Sequence, residues 1–107
     1  MSETPEQIRE RRARLKVEYG DLFNSIASLL FRRDPIGINF ETNADEYEPE
    51  VGTILPRLPG CHSHEHVLRV VHEEFVRWFG ADTAGPEERY AQIATEIWQL
   101  WQKFKAG

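Results

Sequence analysis

Apolar side chains recur at intervals of three, four and seven residues along most of this chain of 107 residues. Such spacing places apolar groups on one face of an α-helix, and that face must be buried against another element. Alternation typical of a half-buried strand is confined to Ile36, Ile38 and Phe40. The pattern therefore predicts an all-α fold, and the length predicts a single helical domain over residues 1–107.

Start and stop signals predict a long N-terminal helix over about residues 5–33, with Thr4 as its cap. Gly20 lies inside this helix and is a site for a kink or a break, at a cost of about 1 kcal/mol relative to alanine. The sequence Asp34-Pro ends the helix, because a residue before proline is steered out of the α region. Residues 34–44 are then predicted to form an irregular apolar connector rather than a strand.

Three further helices follow from the same signals. The second begins at 45–48, continues through Leu58 and is closed by the prolines and glycine around it. The third is capped by Ser63 and ends at Gly80, and the fourth begins at Pro86. The four segments predict a small four-helix bundle-like domain.

The charge of the chain limits its partners. The formal net charge is −5, and residues 34–58 hold six acids against one arginine. This balance disfavours nucleic acid and anionic membranes as partners. No apolar stretch follows Met1 and none approaches the roughly 20 residues that span a bilayer, so a cytoplasmic location is the default expectation.

The sequence contains no complete catalytic or cofactor motif. It lacks His-Glu-x-x-His, Gly-x-Ser-x-Gly and the glycine-rich phosphate loops. No catalytic residue and no cofactor are therefore predicted, and a non-enzymatic role is favoured. An enzyme of an unrecognised type stays an alternative, because absent motifs do not exclude it. The single cysteine also excludes an internal disulfide.

All four histidines and the single cysteine lie within residues 61–72. Imidazole and thiolate are good ligands for zinc or copper, which makes metal binding an alternative function. The candidate ligands are Cys61, His62, His64 and His66. With Ser63 as a helix cap, however, His64 and His66 point about 200° apart in the first helical turn. Because the two side chains diverge, the pattern favours an exposed, histidine-rich helix start over a metal site.

Acidic residues surround a tyrosine in the most negative segment of the chain. The candidate partner-binding residues are Glu41, Asp45, Glu46, Tyr47, Glu48 and Glu50. They form either a solvated face or a docking surface on which the tyrosine is an anchor for a basic partner.

Three further features of the sequence bear on its surfaces and its core. The basic run from Arg9 to Lys16 is either a solvated helix face or a phosphate-contacting surface. The apolar stripe from Ile8 to Leu29 offers a surface for homo-oligomers through the N-terminal helix. The tryptophans at helical spacing are predicted to lie in the core, with Trp98 nearest an interface.

Several segments, in order, resemble a family of small bacterial helical proteins of unassigned function. They are Asp34-Pro-Ile-Gly-Ile38, Asp45-Glu-Tyr47, Glu50-Val51, Glu73-Glu-Phe75-Val-Arg-Trp-Phe-Gly80 and Ile93-Ala-x-Glu-Ile-Trp98. The resemblance covers about residues 19–101 and implies a compact α-helical fold. It implies no catalysis, cofactor or binding residues.

These observations together favour a non-enzymatic protein–protein interaction module. Small acidic helical proteins of this kind include immunity or antitoxin proteins and regulatory binding proteins, which recognise basic partners by charge complementarity. A metal-binding protein built on the cysteine and histidine cluster is the alternative.

Overall fold

A computed structural model of the chain describes residues 4–37 and 47–106, which form six α-helices and two short 3₁₀ helices. The α-helices are α1 (Pro5–Tyr19), α2 (Asp21–Arg33), α3 (Glu48–Ile54), α4 (His64–Phe79), α5 (Ala81–Ala84) and α6 (Ala91–Ala106). The 3₁₀ helices are Leu55–Gly60 and Glu87–Tyr90. The predicted all-α class is confirmed, and a four-helix bundle describes the arrangement only loosely.

The predicted N-terminal helix is broken into α1 and α2 at Gly20, which corrects the continuous helix over 5–33. Gly20 has φ 55° and ψ −121°, and its N–H donates to the Lys16 carbonyl at 2.9 Å, closing α1. Only glycine adopts such a conformation without steric cost. A continuous helix of this length would be about 43 Å long, whereas the longest extent of the molecule is 34 Å. The break therefore allows α1 to fold back onto α3.

Helix α2 ends at Asp34, as predicted, although the conformation there differs from the expected extended one. Asp34 has φ 46° and ψ 58°, a left-handed conformation that aspartate tolerates better than most residues. The Tyr47 hydroxyl donates to Asp34 Oδ1 at 2.6 Å and ties the end of α2 to the start of α3. Ile38 and Phe40 of the predicted connector lie outside the described residues.

The second predicted helix changes character partway along its length. Regular α-helix α3 ends at Ile54, and the chain continues as the 3₁₀ helix Leu55–Gly60. Pro56 has no N–H to donate to the carbonyl of Gly52, so the α-helical hydrogen-bond ladder stops here. The apolar spacing of this segment correctly predicted its buried residues, which are Val51, Ile54, Leu55 and Leu58. It did not predict the change to a 3₁₀ helix.

Helix α4 lies at the centre of the fold and packs against α3, α5 and α6. Ser63 Oγ accepts from the His66 N–H at 3.2 Å, which confirms the predicted cap. The Phe75 ring is fully buried, and its centroid lies 5.0 Å from that of Tyr90 and 6.0 Å from that of Tyr47. These contacts join α4 to the segments on both sides of it.

The short helix α5 was not predicted, and the fourth predicted helix begins at Ala91 rather than at Pro86, after the 3₁₀ helix Glu87–Tyr90. Gly80 ends α4 with φ 85°, and Tyr90 then donates its hydroxyl to the Ala84 carbonyl at 2.6 Å. His72 Nε2 lies 2.9 Å from the Gly85 carbonyl oxygen. Over residues 4–37 and 47–106, none of the helices combines the length and apolar character that crossing a bilayer requires.

Replacing Gly20 by alanine is expected to destabilise the fold by about 1–2 kcal/mol, because a Cβ is strained at this positive φ. No atom would contact the new Cβ within 4 Å, so the cost is conformational. Gly60→Ala is the matched control, since Gly60 lacks a positive φ and also has open space. Urea denaturation checks the difference, and equal stability of the two variants would contradict it.

Candidate functional site

An open groove of about 550 Å³ lies where α1, α3 and α4 meet, and we call it the arginine groove. Its lining residues are Arg11, Arg14, Leu15 and Glu18 of α1; Gly52 and Thr53 of α3; Pro56 and Arg57 of the following 3₁₀ helix; and Glu74 and Arg77 of α4. Four arginines against two glutamates make the lining cationic, although the chain has a net charge of −5.

Glu74 is the buried anion that organises one wall of the arginine groove. Its side chain is 1% exposed, and Oε2 accepts from Arg57 Nη1 at 2.8 Å. Arg77 Nη1 lies 3.3 Å from both oxygens of the same carboxylate. A buried carboxylate needs such partners, because an unpaired charge away from water is costly. Glu74 thereby pairs with two of the guanidiniums that line the groove.

Arg57 also bonds a second carboxylate at the outer edge of the wall. Its Nη2 donates to Glu73 Oε1 at 2.8 Å. The hydrogen bond to Glu73, and after it the bond to Glu74, raises the pKa of the Arg57 guanidinium. Arg57 therefore carries a permanent positive charge at this wall.

Helix α1 supplies the opposite wall. Arg11 and Arg14 lie three residues apart, which places them on neighbouring positions of one helix face. Leu15 is the residue of α1 that is buried in the core. The Glu48 carboxylate lies 3.0 Å from Lys16 Nζ and 3.6 Å from Arg12 Nε, linking α1 to α3. These contacts hold α1 over the groove.

The floor is formed by two residues of α3. Gly52 has no side chain, and a Cβ there would lie 3.8 Å from Arg11 Cδ, an ordinary contact. The Thr53 hydroxyl donates to the Glu50 carbonyl at 3.1 Å and accepts from Trp78 Nε1 at 2.9 Å. Because the threonine hydroxyl is already engaged, guanidinium N–H groups dominate what the groove offers to a ligand. Groups of this kind suit anionic acceptors.

The acidic surface predicted from the sequence is only partly described. Glu41, Asp45 and Glu46 lie outside the described residues. The Tyr47 side chain is fully buried and Glu50 is 3% exposed, so both lie in the interior rather than on a docking face. Glu48 faces α1, where it pairs with Lys16. The tyrosine is buried because its ring packs on α4 while its hydroxyl has a polar partner in Asp34.

The predicted metal ligands are not brought together. Cys61 is buried, its Sγ lies 3.5 Å from the Arg57 carbonyl oxygen, and burial raises the pKa of the thiol. The His62 and His66 rings lie 6.3 Å apart, and His64 Nε2 is 3.1 Å from Glu65 Oε2. In the part of the chain that the structure describes, no three Cys, His, Asp or Glu side chains group as metal ligands.

The stripe predicted to mediate self-association is used inside the molecule. Leu15, Leu22 and Leu29 are buried against the other helices, whereas Val17 of α1 is 88% exposed. Homo-oligomer formation through this helix stays a prediction.

Comparisons of the chain with protein-family models, with curated proteins and with solved structures found no match. The resemblance to small bacterial helical proteins over residues 19–101 stays a prediction, and the groove is interpreted from its own chemistry.

Glu74→Gln is expected to lower the free energy of unfolding by about 1–2 kcal/mol, because two guanidiniums lose a charged acceptor inside the fold. The loss is moderate because Arg57 and Arg77 are partly exposed and regain water. Glu73→Gln is the control, since Glu73 also pairs with Arg57 but is 48% exposed. It is expected to cost less than about 0.5 kcal/mol. Chemical denaturation of both variants measures the difference, and an equal effect would contradict the role of burial.

Cys61 is expected to react with a thiol reagent at least about a hundredfold more slowly in the folded protein than in urea. The thiol is 3% exposed, and its raised pKa reduces the thiolate fraction. Labelling followed by mass spectrometry measures both rates. Similar rates in the two states would show that Cys61 is accessible after all.

Proposed function

We propose that this protein is a non-enzymatic protein–protein interaction module whose arginine groove receives an acidic segment of a partner protein. The observation that carries the proposal is the convergence of four arginines from three separate parts of the chain on one open groove. Positive charge concentrated in a cleft attracts anionic groups more strongly than the same charge spread over a surface.

The groove has the size and construction of a recognition site. Its volume of about 550 Å³ lies within the ordinary range for ligand-binding clefts. The Arg57 guanidinium bonds Glu74 and Glu73 before any ligand arrives, so this side chain loses less freedom on binding. A short acidic segment would therefore find part of the groove already arranged for it.

The chemistry of the lining supports binding rather than catalysis. Thr53 carries the one hydroxyl among the lining residues, and it is engaged in two hydrogen bonds with Glu50 and Trp78. The Glu74 carboxylate is occupied by two arginines. Neither group is arranged as a nucleophile beside a general base.

The charge of the proposed partner is opposite in sign to the charge expected from the sequence. A basic partner was predicted to dock on the acidic residues at 41–50, of which Tyr47 and Glu50 are buried. The groove instead suits an acidic partner, and cationic side chains from α1, α4 and the intervening 3₁₀ helix support this choice.

Arg14→Glu tests the groove directly, and Arg69→Glu is the matched control. Both arginines are exposed on helices and both changes alter the charge by the same amount, but only Arg14 lines the groove. We expect a glutamate-rich peptide to bind the wild-type chain in a salt-dependent manner, and Arg14→Glu to weaken binding at least about tenfold. Arg69→Glu should change the affinity less than about threefold.

Isothermal titration of the full chain at low and moderate salt measures these affinities, and circular dichroism checks that each variant is folded. An equal loss in both variants would attribute binding to overall charge and contradict the groove as the site. Absence of any peptide binding to the wild-type chain would contradict the proposal itself.

A further inference from the structure

We infer that Glu73 is an intramolecular competitor for the arginine groove. Its carboxylate occupies a hydrogen-bonding position on Arg57 that a carboxylate of the partner's acidic segment takes over on binding. This inference rests on the proposed function and names a residue that sets the affinity of the site. Three observations support it: the exposure of Glu73, the second carboxylate that keeps Arg57 in place, and the single bond that is exchanged.

The two carboxylates on Arg57 differ in their exposure to solvent. Arg57 Nη1 donates to Glu74 Oε2 and Arg57 Nη2 donates to Glu73 Oε1, both at 2.8 Å. The Glu74 side chain is 1% exposed, whereas that of Glu73 is 48% exposed. A buried carboxylate that loses its partner stays charged away from water, but an exposed one is hydrated instead. The outer bond, to Glu73, is therefore the one that exchanges.

Arg57 keeps its position when the outer bond breaks, because its bond to Glu74 remains. Arg77 Nη1 also contacts both oxygens of Glu74 at 3.3 Å, so this carboxylate has a second cationic partner. The Arg57 side chain is 39% exposed and lines the groove, which lets a ligand approach it from solvent. An incoming carboxylate thus meets a guanidinium that Glu74 already orients.

The exchange breaks one hydrogen bond of Glu73. Among the described residues, Arg57 is the one hydrogen-bonding partner of the Glu73 side chain. The carboxylates of Glu73 and of the ligand are the same kind of acceptor, so a bond gained by one on Arg57 is lost by the other. The displaced carboxylate also stays on α4 beside the ligand, and like charges repel. Both effects lower the affinity of the wild-type groove for an acidic segment.

A purely structural role of Glu73 predicts the opposite change. If Glu73 served only to orient Arg57, its loss would leave the guanidinium less ordered and would weaken the binding of an acidic peptide. If Glu73 competes with the peptide, its loss strengthens binding. The direction of the change in affinity therefore decides between the two roles.

Isothermal titration of the full chain with a glutamate-rich peptide measures this direction. Glu73→Gln is expected to bind the peptide about two- to fivefold more tightly than the wild-type chain, the range that corresponds to the loss of an exposed ion pair. Glu65→Gln is the matched control, because Glu65 is also exposed on α4 but lies 3.1 Å from His64 Nε2 rather than on Arg57. It should change the affinity less than about 1.5-fold. Circular dichroism checks that each variant is folded.

Arg57→Lys tests whether Glu73 acts through Arg57. An ammonium still gives the buried Glu74 a cationic partner, but it lacks the second nitrogen of the fork that bonds Glu73. In this background Glu73→Gln should change the affinity less than about 1.5-fold.

Carbon-13 NMR of the side-chain carboxyl groups gives a second readout and keeps the test decisive if Arg57→Lys fails to fold. As peptide is added to the wild-type chain, the Glu73 carboxyl signal should move toward that of a hydrated glutamate. The Glu74 signal should move less, because its bond to Arg57 is retained.

The outcomes separate this inference from the proposed function. Unchanged or weaker binding by Glu73→Gln would overturn the inference and leave an acidic-segment site in place. Equal gains in Glu73→Gln and Glu65→Gln, or a gain that persists with Arg57→Lys, would attribute the effect to overall charge and overturn the inference. A Glu73 carboxyl signal that does not respond to saturating peptide would overturn it as well. If neither the wild-type chain nor Glu73→Gln binds the peptide, the inference and the proposed function both fail.

Discussion

Burial of the Phe75 ring holds three stretches of the chain together. Its contacts with Tyr47 and Tyr90 bring the start of α3 and the turn before α6 against α4. Glu74 precedes Phe75 on the same helix, so packing of the ring also determines where the buried carboxylate lies. The carboxylate in turn orients Arg57 and Arg77. The arginine groove is thus a consequence of core packing, and its position does not depend on a surface loop.

Local signals in the sequence predicted the helical elements well where one residue decides the outcome. The Ser63 cap and the end of α2 at Asp34 were predicted because a hydroxyl or a following proline acts within one turn. Gly20 was identified as a candidate break, but glycine accepts both helical and non-helical dihedrals, so tertiary packing decides between them. Helix α5 has too few residues to show an apolar period.

Only one wall of the arginine groove, the one that α1 supplies, could be predicted from the sequence. The basic run on α1 was visible in the sequence, and it supplies Arg11 and Arg14. No sequence pattern marks Arg57 or Arg77 as part of a site, because they become neighbours of α1 only after the chain folds back at Gly20. Tyr47 was interpreted as an anchor of a docking surface because acids surround it, whereas its side chain is buried. Whether a tyrosine is buried depends on a distant partner for its hydroxyl, and local composition does not reveal that partner.

The single buried residue of α1 links ligand binding to local unfolding. Among the described residues, Leu15 is the only buried side chain of α1, whereas α2, α4 and α6 each bury at least four residues, so α1 is expected to open more readily than these three helices. A ligand that bridges Arg14 and the arginines of the opposite wall binds the closed form and adds its binding free energy to the closure of α1. Occupancy should thus appear as slower amide hydrogen exchange along α1, while α4 and α6 exchange as before. The affinity for a ligand and the amide exchange of α1 would therefore both report the same equilibrium, the opening and closing of this helix.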